Sequence, residues 1–472
     1  MSHKMTRRQW LKGAAAISLG ALSAQILSAC AGGVAPAAPA GEAETKPAEE
    51  PAAPAVEQAE SAPAPSDVTL RVQSAGGVLL VMPTEFAKRY EQETGIKVIV
   101  EETVYGEIET KTQTGFISDT LQDLVYGHHR WLFINFLKGI YLELDELFAS
   151  NPPPDFEDIY PSVLAGNQLD GKNFSLPETV HPGGNIAVNY NKNILAEKGL
   201  AEPQEGWSVN DWRDLATAAA DPDKGIFGLG LDDFTALHYY SNVARCFGPP
   251  DSTDSWVMNR EGTKLTLDNA VHKEVADWYL GMISNKVVPK RADYVENSAA
   301  NLFTAGLSAT HASIAGNVAN FLNTIGDAFE MDAALLPLGP QGRQGSCYSG
   351  NQYMVNSKTK YPEETYELLK SFTSAEAGIF SVLESKLQPN GHKAAWIDPE
   401  VNKVNKIYGR LDSFLSKGVE PFPMPNNTRF TEANNTFQAE MALIWEQEVI
   451  WDEHVKVITE KVQEILDLPR PI

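Results

Sequence analysis

Between residues 68 and 100 the chain changes hydrophobic period twice within about thirty positions. Val68 to Val72 is a short β-rich run, and Ser74-Ala75-Gly76-Gly77 turns it. From Pro83 to Thr94 (PTEFAKRYEQET) apolar residues recur at helical spacing, with Pro83 suited to a first turn. Gly95 ends that helix and Ile96 to Val100 (IKVIV) reads as the next strand. Strand, helix and strand in that order form the βαβ unit of a parallel sheet. A helix-like stretch at Glu107 to Ile117 and a strand at Leu124 to Tyr126 continue the alternation, so the fold class is α/β.

The residues before this unit have a different purpose. Gly13 to Ala29 is apolar and uncharged, with Lys4, Arg7, Arg8 and Lys12 gathered on its N-terminal side. That is the layout of a signal peptide, too short for a confident membrane span. Leu27-Ser28-Ala29-Cys30 resembles a bacterial lipobox, which makes Cys30 the lipidated first residue of the mature chain. Thr6 to Lys12 looks like a twin-arginine export signal, with Trp10 where Phe is commoner; an ordinary secretion signal containing Arg-Arg is the alternative. Residues 31–66 are built from Ala, Pro, Glu and Gly and carry almost no large apolar side chain, so they stay extended and solvated. A lipid followed by a polar leash holds a soluble domain near a membrane.

About 400 residues follow the leash, enough for two lobes, and no second Pro- or Gly-rich linker separates them. Without the leader the chain keeps 34 Lys and Arg against 62 Asp and Glu, a formal charge of −28. Such acidity argues against nucleic acid and anionic bilayers as partners. With Cys30 given to lipid, Cys246 and Cys347 remain; export permits a disulfide, but two buried free thiols are the expected state.

Several blocks then occur in a telling order. FAKRYEQETGIKV spans 86–98, QDLVYGHHRWLFINFLKGIYLELDEL spans 122–147, and GKNFSLPETVHPGGNIAVNYNKNILAEKGL spans 171–200, followed by Trp207 and Trp212. LFTAGLSATHASIAG spans 302–316 and LLPLGPQGRQGSCYSGNQYMVN spans 335–356. In this order they resemble the extracellular solute-binding proteins of ABC importers, family 1, the maltose-binding type. Gln122-Asp123 replaces that family's usual Pro-Asp, and the turn of the first block is nonstandard.

The resemblance implies a two-lobed periplasmic-binding-protein-like (type II) fold with hinge strands and a ligand cleft between the lobes. It implies residues 1–29 as signal peptide, 30–66 as lipidated cysteine and linker, 67–182 with 333–382 as the first lobe, and 183–332 with 383–472 as the second. Crossings are expected near His181 to Asn185, Glu330 to Ala334 and Phe380 to Gln388. The implied function is capture of a small solute, most simply a sugar or oligosaccharide, by cleft closure and its delivery to a membrane permease. The protein is then a lipid-anchored, exported monomer with no cofactor, no metal and no catalytic step.

A sugar site combines aromatic platforms with planar polar groups. By the family's spacing, His129, Arg130 and Trp131 lie in a first-lobe ligand loop, with packing under the next helix as the alternative for Trp131. His238, Tyr239 and Tyr240 fall where the second lobe presents an aromatic, and adjacent residues on a helix cannot share one face. His181 and Asn185 belong to the first crossing, Tyr348 and Asn351 flank Gly350, and Asn434 matches the spacing of a binding residue in the tail. Asn317 stands where the family often has an aromatic, which counts against a long maltodextrin. Arg130 with its neighbouring histidines suits an anionic sugar and the Tyr and Trp side chains a neutral one; the sequence leans to neutral.

Other classes fare worse. No Gly-x-Ser-x-Gly or His-Glu-x-x-His occurs, and Asp232-Asp233 reads as a solvated pair rather than glycosidase carboxylates. His128-His129 reads as a polar loop, since neighbours on an extended backbone face opposite ways. The open alternatives are an exported glycan-active hydrolase and a surface lipoprotein that senses glycans without a permease.

Overall fold

The computed structural model describes residues 67–470 apart from 183–184, 260, 297, 346–347 and 417–427. The leader, Cys30, the leash, Cys347 and the proline-rich 421–427 therefore lie outside the described residues. Among the described residues nine strands form two large sheets beside a small ribbon of Gln168–Leu169 with Lys172–Asn173, and the helices used below are α1 (Val81–Thr94), α2 (His129–Leu137), α3 (Val209–Ala219), α4 (Leu237–Phe247), α5 (Pro362–Phe372), α6 (Ala375–Ser385) and α7 (Phe430–Trp445).

The first sheet contains β1 (Thr69–Ala75), β2 (Lys97–Thr103), β3 (Leu124–His128), β4 (Leu176–Pro182) and, from much later in the chain, β9 (Tyr348–Val355). Its order is β2-β1-β3-β9-β4. The opening βαβ unit forms as the hydrophobic period dictates: β1 runs parallel to β2 with Thr69 opposite Lys97, and α1 buries Met82, Phe86, Ala87 and Tyr90. Gly95 closes α1 at φ 74°, a left-handed conformation that glycine adopts at little cost. Strand β9 inserts antiparallel between β3 and β4, with a bulge at Asn351/Gln352.

The second sheet holds β5 (Ala187–Asn191), β6 (Phe227–Leu231), β7 (Ser308–Ser313) and β8 (Met331–Leu335) in the order β8-β5-β7-β6. Helix α3 starts with a capping box in which Ser208 and Asp211 satisfy each other's backbone N–H groups. It lies close to β6: a Cβ added at Gly228 falls 1.9 Å from the Ala216 carbonyl oxygen, so only glycine fits there.

The chain passes from the first sheet to the second between Pro182 and Ala187. The other expected boundaries move. Residue 333 lies inside β8, whose Ala333 pairs with Asn189 of β5, so the return to the first sheet comes only after Leu335. Residue 383 lies inside α6, and the chain still bonds the first lobe at Pro389, which accepts from Val180 N, and Gly391, which accepts from Tyr160 N. The Gln388 side chain already lies against Gly316 of the second lobe, and hydrogen bonds to that lobe follow at Asn405, whose amide donates to Ala315 O, and at Arg410, which donates to Ala333 O. Cys246 is a free, buried thiol. Among the described residues no helix is long and apolar enough to cross a membrane.

Candidate functional site

Strand β3 ends at the interlobe cleft, and its last residue builds the first-lobe wall. His128 stays extended and its Nδ1 accepts the Arg130 backbone N–H at 3.1 Å, capping α2. Arg130 lines the cleft. The Trp131 ring lies 5.8 Å from Tyr105 and 5.6 Å from His128, centroid to centroid, and is 6% exposed. Gly127 permits this: a Cβ there meets the Met354 methyl at 2.5 Å and the Trp131 indole nitrogen at 3.5 Å. Trp131 is thus a packed wall rather than an open platform.

Four histidines gather around Arg130, and burial acts on all of them. His129 and His181 are held down at about 4, and His128 and His238 fall well below their ordinary value. Burial is the main cause, and the Arg130 charge reinforces it for His128, His181 and His238. The cluster is therefore neutral at pH 7. His128 and His181 rings lie 6.3 Å apart, whereas His129 turns inward, its Nδ1 3.0 Å from Gly350 O. His129 is a structural residue here, not a cleft residue. Among the described residues no group of three or more His, Cys, Asp or Glu is placed to hold a metal.

Glu178, on β4, is 2% exposed and interacts with Tyr126 and Tyr353 in the first-lobe interior. Burial raises its carboxyl to about 7 against hydrogen bonds from Thr179 and Asn351. A carboxyl whose folded pKa is raised favours the folded state at low pH and loses that contribution as pH climbs from about 4.5 to about 7. Glu178→Gln is expected to match the wild type near pH 4.5 and to exceed it by about 2–3 kcal/mol at pH 8. Chemical denaturation at the two pH values checks this, and an equal difference at both removes the buried carboxyl as its source.

The second-lobe wall grows from the end of β6. Asp232 and Asn185 pair reciprocally: Asp232 N donates to Asn185 Oδ1 at 3.1 Å and Asn185 Nδ2 to Asp232 O at 3.1 Å. The Asp232 carboxylate takes His311 Nε2 at 2.8 Å on one oxygen and the Ser313 hydroxyl on the other. Ser313 in turn accepts from Asn317 at 2.7 Å. Asp233, at φ 25°, accepts from Thr235 at 2.5 Å and Gln438 at 2.8 Å. Asp232 is thus held within the protein, contrary to the solvated reading, whereas Asp233 is exposed as that reading expects even though it accepts two hydrogen bonds. The sequence shows the Asp-Asp pair but not the two residues of β7, some eighty positions later, that fix it.

The remaining expected residues divide. Tyr239 lines the cleft, its ring 4.2 Å from that of His238, centroid to centroid, and tilted by 41° against it. Tyr240 does not: it is fully buried in the second-lobe core, its hydroxyl 3.0 Å from His272 Nδ1. Asn434 is spent on structure, its Oδ1 accepting Leu237 N at 3.1 Å to cap α4. Asn351 sits buried on β9 opposite Thr179 and His128, and Tyr348 begins β9 opposite Pro182. Asn185 supports Asp232 rather than facing outward. Sequence reasoning missed Tyr105, Glu178, Tyr294 and the placement of Asp232.

A cavity of about 780 Å³ lies between Arg130 of the first lobe and Asp232, Asp233, Tyr239, Tyr294 and Asn317 of the second. That volume lies within the range of small-molecule sites. Residues 82–379 match the bacterial extracellular solute-binding protein family. The chain belongs to that family. A probable ABC transporter-binding protein of Deinococcus radiodurans is 22% identical over 308 residues, 63% of this chain and 70% of that protein. Among solved structures, the ABC substrate-binding protein Lmo0181 of Listeria monocytogenes, in complex with cycloalternan, is similar at TM-score 0.71 and 17% identity, covering 84% of this chain and 99% of that one. The sugar-binding protein MalE of Xanthomonas citri reaches TM-score 0.71 at 18% identity, over 84% and 97% of the two chains. The GacH receptor of Streptomyces glaucescens, solved unliganded and with acarbose, reaches 0.69 at 18%, over 85% and 98%. At such identities the likeness establishes the two-lobed α/β fold of a solute-binding protein.

Proposed function

We propose that this solute-binding protein is the substrate-binding lipoprotein of an ABC importer, held at the outer face of the membrane through Cys30, that takes up a sugar or oligosaccharide and delivers it to a permease. The cavity shared by the two lobes carries this reading. Its walls come from opposite sides of a chain that crosses between two sheets, so an occupant touching both Arg130 and Tyr239 binds the closed form better than the open one. Fixed polar groups beside tyrosine rings suit a polyhydroxylated ring. The similar proteins whose names record a sugar, cycloalternan or acarbose, point the same way. With both Asp232 oxygens taken by donors, binding rather than proton transfer is the chemistry this wall supports.

A thermal-shift screen of the purified protein against mono- and oligosaccharides, sugar acids and polyols tests the reading. A ligand at a hundred times its dissociation constant stabilises by about 2.7 kcal/mol, a rise of a few degrees. Tyr239→Ala is expected to abolish that rise. A screen with no rise, accompanied by breakdown of a glycan in the same samples, transfers the protein to the hydrolases.

A further inference from the structure

Six charged residues line the cavity: Arg130, Lys290 and Arg291 against Asp232, Asp233 and Glu446. The formal charges balance, but their satisfaction does not. Asp232 is held by His311 and Ser313, Asp233 by Thr235 and Gln438, and Glu446 Oε1 accepts the Arg291 backbone N–H at 3.1 Å. Lys290 Nζ donates to Glu446 O at 3.0 Å, and Arg291 stands exposed at the rim. Arg130 is partly buried, and among the described residues its guanidinium has neither a hydrogen bond nor an ion pair. Its backbone N–H donates to His128 Nδ1.

We propose that the ligand of this cleft is an acidic sugar, a saccharide bearing a carboxylate, and that Arg130 receives that carboxylate as a two-pronged hydrogen-bonded pair. The inference rests on the sugar reading of the cleft and narrows it. A guanidinium offers five N–H donors in a planar fork that matches a carboxylate. Drawn into a closing cleft without a counter-charge, it loses hydration and gains nothing comparable from neutral hydroxyls. Three carboxylates share the cavity, but among the described residues none forms an ion pair or hydrogen bond with the Arg130 guanidinium. His128, His181 and His238 around it are neutral, Asp232 and Asp233 accept from donors other than Arg130, and Glu178 takes its hydrogen bonds from Thr179 and Asn351. The tyrosines that favoured a neutral sugar in the sequence remain as walls for the ring, through Tyr239 and Tyr294.

Calorimetric titration with glucuronate, glucose 6-phosphate, glucose and the tightest neutral glycan of the thermal screen tests this. The wild type is expected to bind glucuronate at least about tenfold more tightly than glucose. In Arg130→Gln that ratio should collapse towards one, and Arg130→Lys, which keeps the charge without the fork, should restore only part of it. Unliganded thermal midpoints of both variants report their folding. Preference for glucose 6-phosphate over glucuronate overturns the carboxylate in favour of a phosphoryl group. Binding of the neutral glycan with no preference for either acid overturns the inference and leaves the sugar reading standing. Absence of binding by every saccharide overturns both.

Discussion

Acidified from pH 6.5 to pH 4, the protein is expected to lose most of its stability, with an unfolding midpoint above pH 4. His129, His181 and His272 are each held at about 4, principally by burial, and His128 and His238 lie lower still. Each has a folded pKa below its unfolded value, so the unfolded chain takes the proton first. Their stabilisation is therefore complete above about pH 6.5 and drains as pH falls towards about 4. A displacement of this size is worth up to about 3 kcal/mol per histidine. Glu178 and Glu109 oppose them, since a raised pKa favours the folded state as pH falls, but they are two groups against these five and His392, which burial also lowers. The total rivals the 5–15 kcal/mol that separates most folded domains from their unfolded chains.

Far-ultraviolet circular dichroism and tryptophan fluorescence followed from pH 8 to pH 3 measure the loss. His272→Gln is informative because His272 lies outside the cleft, bonded to Tyr240 and to Trp256 O in the second-lobe core. It should lower by about one the protons taken up on unfolding between pH 4.5 and 6. A signal that stays native down to pH 3.5 shows that the histidines accept protons in place, and the burial argument then fails.

How much of this was legible in the sequence follows from distance along the chain. The opening βαβ unit was readable because its signals are local: the 3.6-residue period, Pro83 and Gly95 all act within α1 and its ends. The family's spacing placed Arg130 and Trp131 in a loop after a first-lobe strand; Arg130 lines the cavity, whereas Trp131 packs against Tyr105 and His128, contacts that its local sequence does not announce. The choice among His238, Tyr239 and Tyr240 was not, because helical spacing says that only one faces a given side without saying which. That is settled by His272, Phe437 and Trp445, which take Tyr240 into the core. Asn434 failed likewise: a polar residue at the right spacing was claimed by the uncapped N-terminus of α4, a demand invisible in the segment around it. The boundary at 333 slipped because β8 pairs with β5, a partner about 140 residues earlier.

The packing beneath the second-lobe wall leads to the other large effect. Trp212 on α3 is fully buried, between Trp207 at 6.0 Å and Trp278 at 5.6 Å, and its indole donates to Thr310 Oγ1 at 3.1 Å. Thr310 lies on β7, the strand that also carries His311 and Ser313, and its hydroxyl bonds Gly228 O of β6 at 2.9 Å. Trp212 therefore fastens α3 to the two strands whose ends present Asp232. Trp212→Ala leaves a cavity that neither the capped helix nor the sheet can close, because Gly228 and Ala216 are already in contact. The expected loss is about 3–5 kcal/mol, read from denaturant midpoints. Trp212→Phe, which keeps a ring and drops the indole bond, should lose roughly half as much. Because the cleft residues stay intact, the Trp212→Phe protein should keep its ligand preference while unfolding at a lower temperature. A loss below about 1 kcal/mol for Trp212→Ala would place the weight of the second lobe elsewhere than on this contact.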